Sequence, residues 1–215
     1  MCARNPGWIA LVASLALAGC AIGNTHAYHS VLADPKISGN GRVSVATHDR
    51  RPYVLSGEKQ PQFVGLSRGG FGNPFDVRTD GGRPLADDMT EAVVNSLKLK
   101  GFESVPVILS ASVNPAEARE RVARAGGTRG ILLTLQEWKS DTMVNTALIY
   151  DVTLSVLDST GQVIAETRLQ GRDNLGGSAL NPPAHAREAV PRAVKAKLEE
   201  LLSDPKVASA LGSSR

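Results

Sequence analysis

The sequence predicts a single α/β domain: a mixed sheet of about five strands packed against about three helices, in the order strand-helix-strand-helix-strand-strand-strand-helix. Three observations carry this. Residues 84–100 place apolar side chains at the period of a helix. Two alternating runs, 148–156 and 163–169, flank the turn Asp158-Ser159-Thr160-Gly161 and read as a hairpin. Apolar runs at 105–109 and 131–135 are separated by a second helical stripe, the pattern that lays helices on the faces of a sheet.

The chain begins with a segment of a different kind. Arg4 is the only charge before Cys20, and Trp8 to Ala18 reads WIALVASLALA. That run is well short of the roughly 20 residues that a membrane-spanning helix needs. A basic end, a short apolar centre and a small-residue exit describe a signal peptide over residues 1–19. The exit, Leu17-Ala18-Gly19-Cys20, resembles the lipobox of bacterial lipoproteins at all four positions. The resemblance implies cleavage between Gly19 and Cys20, acyl chains on Cys20, and the membrane as a partner. Each buried methylene of such chains contributes about 0.8 kcal/mol, so several together anchor firmly. Ala21, in place of Asp, implies the outer membrane with the domain facing the periplasm.

Cysteine usage agrees with that compartment. The two cysteines are Cys2, lost with the signal, and Cys20, blocked by lipid. The mature chain would then carry no thiol and no disulfide, and its fold rests on its core. A net charge of +3, no block of like charges and 4% aromatics argue against nucleic acid, which calls for a basic stripe or stacking platforms.

Residues 20–41 are small, polar and aperiodic, and are expected to form a lipidated N-terminus and flexible tether. His26 and His29 lie there as H-x-x-H, but a zinc site wants three or four ligands, and neither a metal nor a cofactor is expected. The domain is expected over 42–204. Val43, Val45 and Thr47 alternate through the first strand. Residues 48–83 show no clear element and read as one long loop. Pro84 to Lys100 is the clearest helix, with Pro84 in the first turn, Asp87 and Asp88 early, Lys98 and Lys100 late, and Gly101 as the stop. The paired acids Asp87-Asp88 and Glu199-Glu200 read as helix surface. Val105–Leu109 is a short second strand. Asn114-Pro115 opens a helix that Gly126-Gly127 ends, and Ile131–Leu135 is nearly all apolar, hence central. After the hairpin, 171–183 reads as loop and Ala184–Leu202 as the last helix, which Pro191 should kink or restart. Residues 205–215 read as a short polar tail with one weak helical turn.

The chemistry is sparse. Gly65-Leu66-Ser67-Arg68-Gly69 fits the G-x-S-x-G of a serine hydrolase, with His185 as base and Asp151 or Asp158 as orienter. That elbow requires a helix directly after the Ser, and Arg-Gly-Gly-Phe-Gly-Asn-Pro will not start one. A phosphate loop fails too, because Phe75 stands where the third glycine belongs. What remains in 63–78 is a stretch with Arg68, Phe71, Asn73 and Phe75 at its tips, either a partner-binding surface or a lid folded over the sheet. Trp138 reads either as a packed edge residue or, with Tyr150, as the wall of a ligand pocket.

Val43-Ser44-Val45 leading to Asp49-Arg50, the helix ending in Lys100-Gly101-Phe102, and the Asp158–Gly161 hairpin resemble the YajG-like outer-membrane lipoproteins over residues 42–202. The order is also similar to a wider group of periplasmic α/β domains: the N-terminal domain of TolB, the curli-export lipoprotein, and lipoprotein activators of peptidoglycan synthases. The resemblance implies no enzyme activity and carries over no site residues. The expectation is a non-catalytic envelope lipoprotein that binds or assembles another envelope protein. The alternatives are a binder of small ligands or peptidoglycan fragments and, more distantly, a hydrolase at Ser67.

Overall fold

The computed structural model describes residues 24–212. Gly19, Cys20 and the signal peptide lie outside them. The elements run β1 (Thr25–His26), β2 (Arg42–Asp49), α1 (Pro52–Leu55), β3 (Phe63–Arg68), β4 (Pro74–Thr79), α2 (Leu85–Leu99) and β5 (Glu103–Pro106). They continue as α3 (Pro115–Arg124), β6 (Arg129–Thr142), β7 (Asn145–Leu157), β8 (Val163–Gly177), α4 (Pro182–Leu202) and α5 (Pro205–Gly212). All eight strands join one mixed sheet, so the expected class holds with more strands than the five foreseen.

β6 organises the sheet. On one side it pairs antiparallel with β7 along its length, and β7 pairs with β8. On the other side its first half lies parallel to β2 (Val43↔Arg129 to Asp49↔Leu135) and its last residues lie parallel to β3 (Gly65↔Ser140 to Ser67↔Thr142). Where β2 gives way to β3, the β6–β7 register shifts between Leu135 and Glu137. An extra residue there, Gln136, reverses the in–out alternation of the strand. Before it Ile131, Leu133 and Leu135 face the main core; after it Trp138 does. Trp138 is therefore fully buried in the main core, its indole N–H donating to the Tyr28 hydroxyl at 3.3 Å.

The junction of β2, β3 and β6 is filled by one side chain. Arg51 is fully buried, and its guanidinium grips both carboxylate oxygens of Asp49 (2.8 and 2.7 Å). It also donates to the carbonyls of Phe63, Trp138 and Pro61. The expected 48–83 loop is thus two strands and a helical turn tied to the sheet through Arg51.

α2, α4 and α5 pack on one face of the sheet over the main core, and α3 covers a smaller one around Leu132 and Leu157 on the other. Asn114 caps α3, accepting from the Glu117 N–H at 3.0 Å. α4 runs through Pro191 without a break. β8 extends to Gly177, through much of the expected 171–183 loop, and the expected polar tail forms α5, with Val207 and Leu211 buried. No helix among the described residues is long and apolar enough to cross a membrane.

The largest departure from expectation is at the start. Residues 24–41 do not form a free tether. Tyr28, Val31, Ala33 and Pro35 are buried while Leu32, Asp34 and Lys36 point out, the alternation of an extended chain on a surface. The Ala33 N–H donates to Ser96 Oγ of α2, and the Asp34 and Lys36 N–H groups donate to Glu199 and Ser203 at the end of α4. The segment is part of the domain.

Candidate interaction surface

β3 and β4 form a hairpin closed by Gly69–Asn73, with the Gly69 N–H donating to the Asn73 carbonyl at 2.9 Å and the Gly72 N–H to that of Gly69 at 2.8 Å. Gly72 sits at φ +80°, where a side chain would be strained. Gly65 is required for a different reason: a Cβ there would fall 2.1 Å from Ser140 Oγ, so its absence lets β3 lie against β6. The glycines of the G-x-S-x-G string thus serve sheet packing and a turn. Ser67 is buried in β3 opposite Phe75, and a turn and a strand follow it in place of the elbow's helix. Asp151 is held by Arg168 at 2.7 and 2.6 Å, and Asp158 accepts from Thr160 and Gln162 within the β7–β8 turn. Neither orients His185.

The hairpin tip faces outward. Phe71 is 99% exposed and Phe75 61%, so the lid reading fails: neither ring folds over the sheet. Asn73 is exposed, its carbonyl closing the turn. Arg68 is committed, since its guanidinium binds Asp141 of β6 in a fork at 2.7 and 2.9 Å. That fork holds the Asp141 carboxyl below the usual carboxylate range.

Beside the tip the β6–β7 turn exposes Met143 and Val144. The loop after β8 packs on this turn through the Ser178 N–H, which donates to the Val144 carbonyl at 3.2 Å. It then presents Leu180, 99% exposed, before Asn181 caps α4. Between the two turns lies an open cleft of about 520 Å³, lined by Arg68, Asp141, Met143, Asn145 and Arg172 among others. Sequence reading found the phenylalanines through their glycine-rich context. It missed Met143, Val144 and Leu180, whose only signal was an apolar residue standing inside a turn.

The start of the described chain is at the same pole. β1 runs parallel to β4, and the Asn24 carbonyl accepts from the Arg78 N–H at 3.1 Å. Asn24 shares a small crevice with Ser67, Thr142 and Pro183. His26 is buried there with Nε2 at 3.1 Å from Ser140 Oγ, and burial pushes its pKa down to about 4. It is a packed neutral side chain, separate from His29. Among the described residues no three His, Cys, Asp or Glu side chains converge as metal ligands.

A second cleft, about 340 Å³, opens on the other sheet face beside α3, lined by His48, Arg119, Thr134, Gln136, Thr153 and Arg168 among others. Gln136 Oε1, at the bulge, is buried there without a hydrogen-bond partner among the described residues.

The fold itself has a counterpart. A protein of Xanthomonas campestris assigned to the DUF330 family superposes with a TM-score of 0.55 at 13% identity, over 86% of this chain and 96% of that one. This chain shares its fold. Weaker likenesses are to a subunit of the PelC dodecamer from Paraburkholderia phytofirmans (TM-score 0.42, 14% identity, 85% of this chain, 95% of that) and to lipoprotein GNA1162 from Neisseria meningitidis (0.30, 12%, 73% and 98%). No family model and no curated protein sequence matches the chain.

Proposed function

We propose that the chain is a lipid-anchored module of the bacterial envelope that works by binding rather than by turnover. Its anchor is Cys20 in the outer membrane, its domain faces the periplasm, and its contact surface is the pole carrying Phe71 and Phe75. One observation carries the binding surface: Phe71 stands almost wholly in solvent on a closed hairpin turn, with Met143, Val144 and Leu180 exposed beside it. Monomeric proteins seldom gather large apolar side chains at one exposed place unless something covers them. The reading by binding is supported by the state of the Ser67 set: a turn and a strand follow Ser67, and Asp151 and Asp158 are bonded elsewhere.

The test is photo-crosslinking in living cells, with a diazirine amino acid at Phe71 of the full-length protein. The expected result is an adduct with an envelope component; absence of any adduct from the folded, acylated protein would remove the pole as a contact surface. A second reading, a polar small ligand such as a peptidoglycan fragment, is favoured by the unpartnered Gln136 Oε1 in the cleft beside α3. Muropeptide titration of wild type against Gln136→Leu checks it.

A further inference from the structure

Resting on that reading of Cys20, we infer that the component covering the pole is the lipid bilayer itself, and that the domain sits flush on the membrane with Phe71 and Leu180 entering the headgroup layer. With residues 24–41 folded onto the domain, only residues 21–23 separate Cys20 from Asn24. Four residue steps reach at most roughly 14 Å. The acyl chains must therefore enter the bilayer within that distance of Asn24.

Asn24 belongs to the apolar pole. It shares a crevice with Ser67 and Thr142, Ser67 pairs across the hairpin with Phe75, and Thr142 precedes Met143. The same crevice includes Pro183, three residues after Leu180. Anchor and exposed apolar side chains thus leave the molecule together. A protein partner covering Phe71 would have to fit within that short tether's reach of the lipid surface.

The charges agree. Arg68 is neutralised by Asp141, but Arg172 in the cleft, Arg78 beside Asn24 and Arg187 on the first turns of α4 form no ion pair among the described residues. Aromatic and aliphatic tips with arginines on the same pole suit a surface of anionic phospholipid.

The test uses full-length acylated protein reconstituted in vesicles of phosphatidylethanolamine and phosphatidylglycerol, carrying Phe71→Trp or, separately, Leu180→Trp. Both positions are fully exposed, so neither change touches the core, and buried Trp138 gives a constant background. A Leu99→Trp protein is the control. Leu99 is exposed at the end of α2 near the start of β5, which lies beside the start of β2, far from the pole. Brominated acyl chains are expected to quench the added emission by about half or more at 71 and 180, and to leave 99 unchanged. Emission at 71 and 180 as insensitive to bromine as at 99 would overturn the inference. If the Phe71 crosslink is then a discrete protein, the binding reading survives with a protein partner. If there is no adduct, both fall.

Discussion

Burial pushes the Asp88 carboxyl up to about 6, against the pull of Arg83 and His29 and with the push of Glu91 and Asp87. Among the described residues its two oxygens accept no hydrogen bond, and Arg83 Nε stands 3.3 Å from one of them. His26 is displaced the other way, burial lowering it to about 4 with Arg187 adding to the effect and a backbone hydrogen bond at Thr25 opposing it. The consequences for stability have opposite signs. A raised carboxylate stabilises the fold most below its unfolded pKa near 4, and that contribution is lost as pH rises through about 6. A lowered histidine contributes fully above about 6.5, and the contribution is lost as pH falls through about 4. In wild type the two offset each other across one window. Urea unfolding from pH 7 to pH 4.5 separates them: Asp88→Asn should lose stability on acidification more steeply than wild type, by roughly 1–2 kcal/mol, and His26→Gln should lose less or gain. Parallel curves for all three proteins would refute this assignment. Nothing in the sequence marked Asp88 as buried. It follows an acid in a first helical turn, where charge is ordinary, yet it is fully buried with Arg83 Nε beside it.

The elements that escaped sequence reading are those whose pattern depends on another element. The helix at 84–100 and the hairpin at 148–169 were legible because each repeats its own period. β3 was not, because Gly65 and the turn glycines read as loop until β6 lies against them. Trp138 packs as expected, but inside the sheet and not at its edge, because β6 is paired on both sides and Gln136 inverts the alternation before it. The 24–41 segment alternates only over Val31–Lys36, too briefly to stand out. Arg51 joins these parts: it holds the end of β2, the start of β3 and the bulged stretch of β6 through five hydrogen bonds. Arg51→Ala would leave Asp49 buried and unpaired and release three carbonyls. It should cost roughly 3–5 kcal/mol in urea unfolding. A loss below about 1 kcal/mol would show that the junction holds without it.

At the scale of the molecule, the class of the fold was legible and the binding surface only in part. The phenylalanines of 63–78 pointed to it, but the pole is assembled from three turns distant in sequence, and its place beside the anchor depends on the supposed tether being folded. β6, with 14 residues, runs about 45 Å from Arg129 at one end to Thr142 at the pole. In this reading the pole meets the lipid. Neutron reflectometry of the acylated protein on a supported bilayer tests it most directly. The expected profile is a protein layer that begins within the headgroups with no water gap. A hydrated gap between the headgroups and the domain would contradict it.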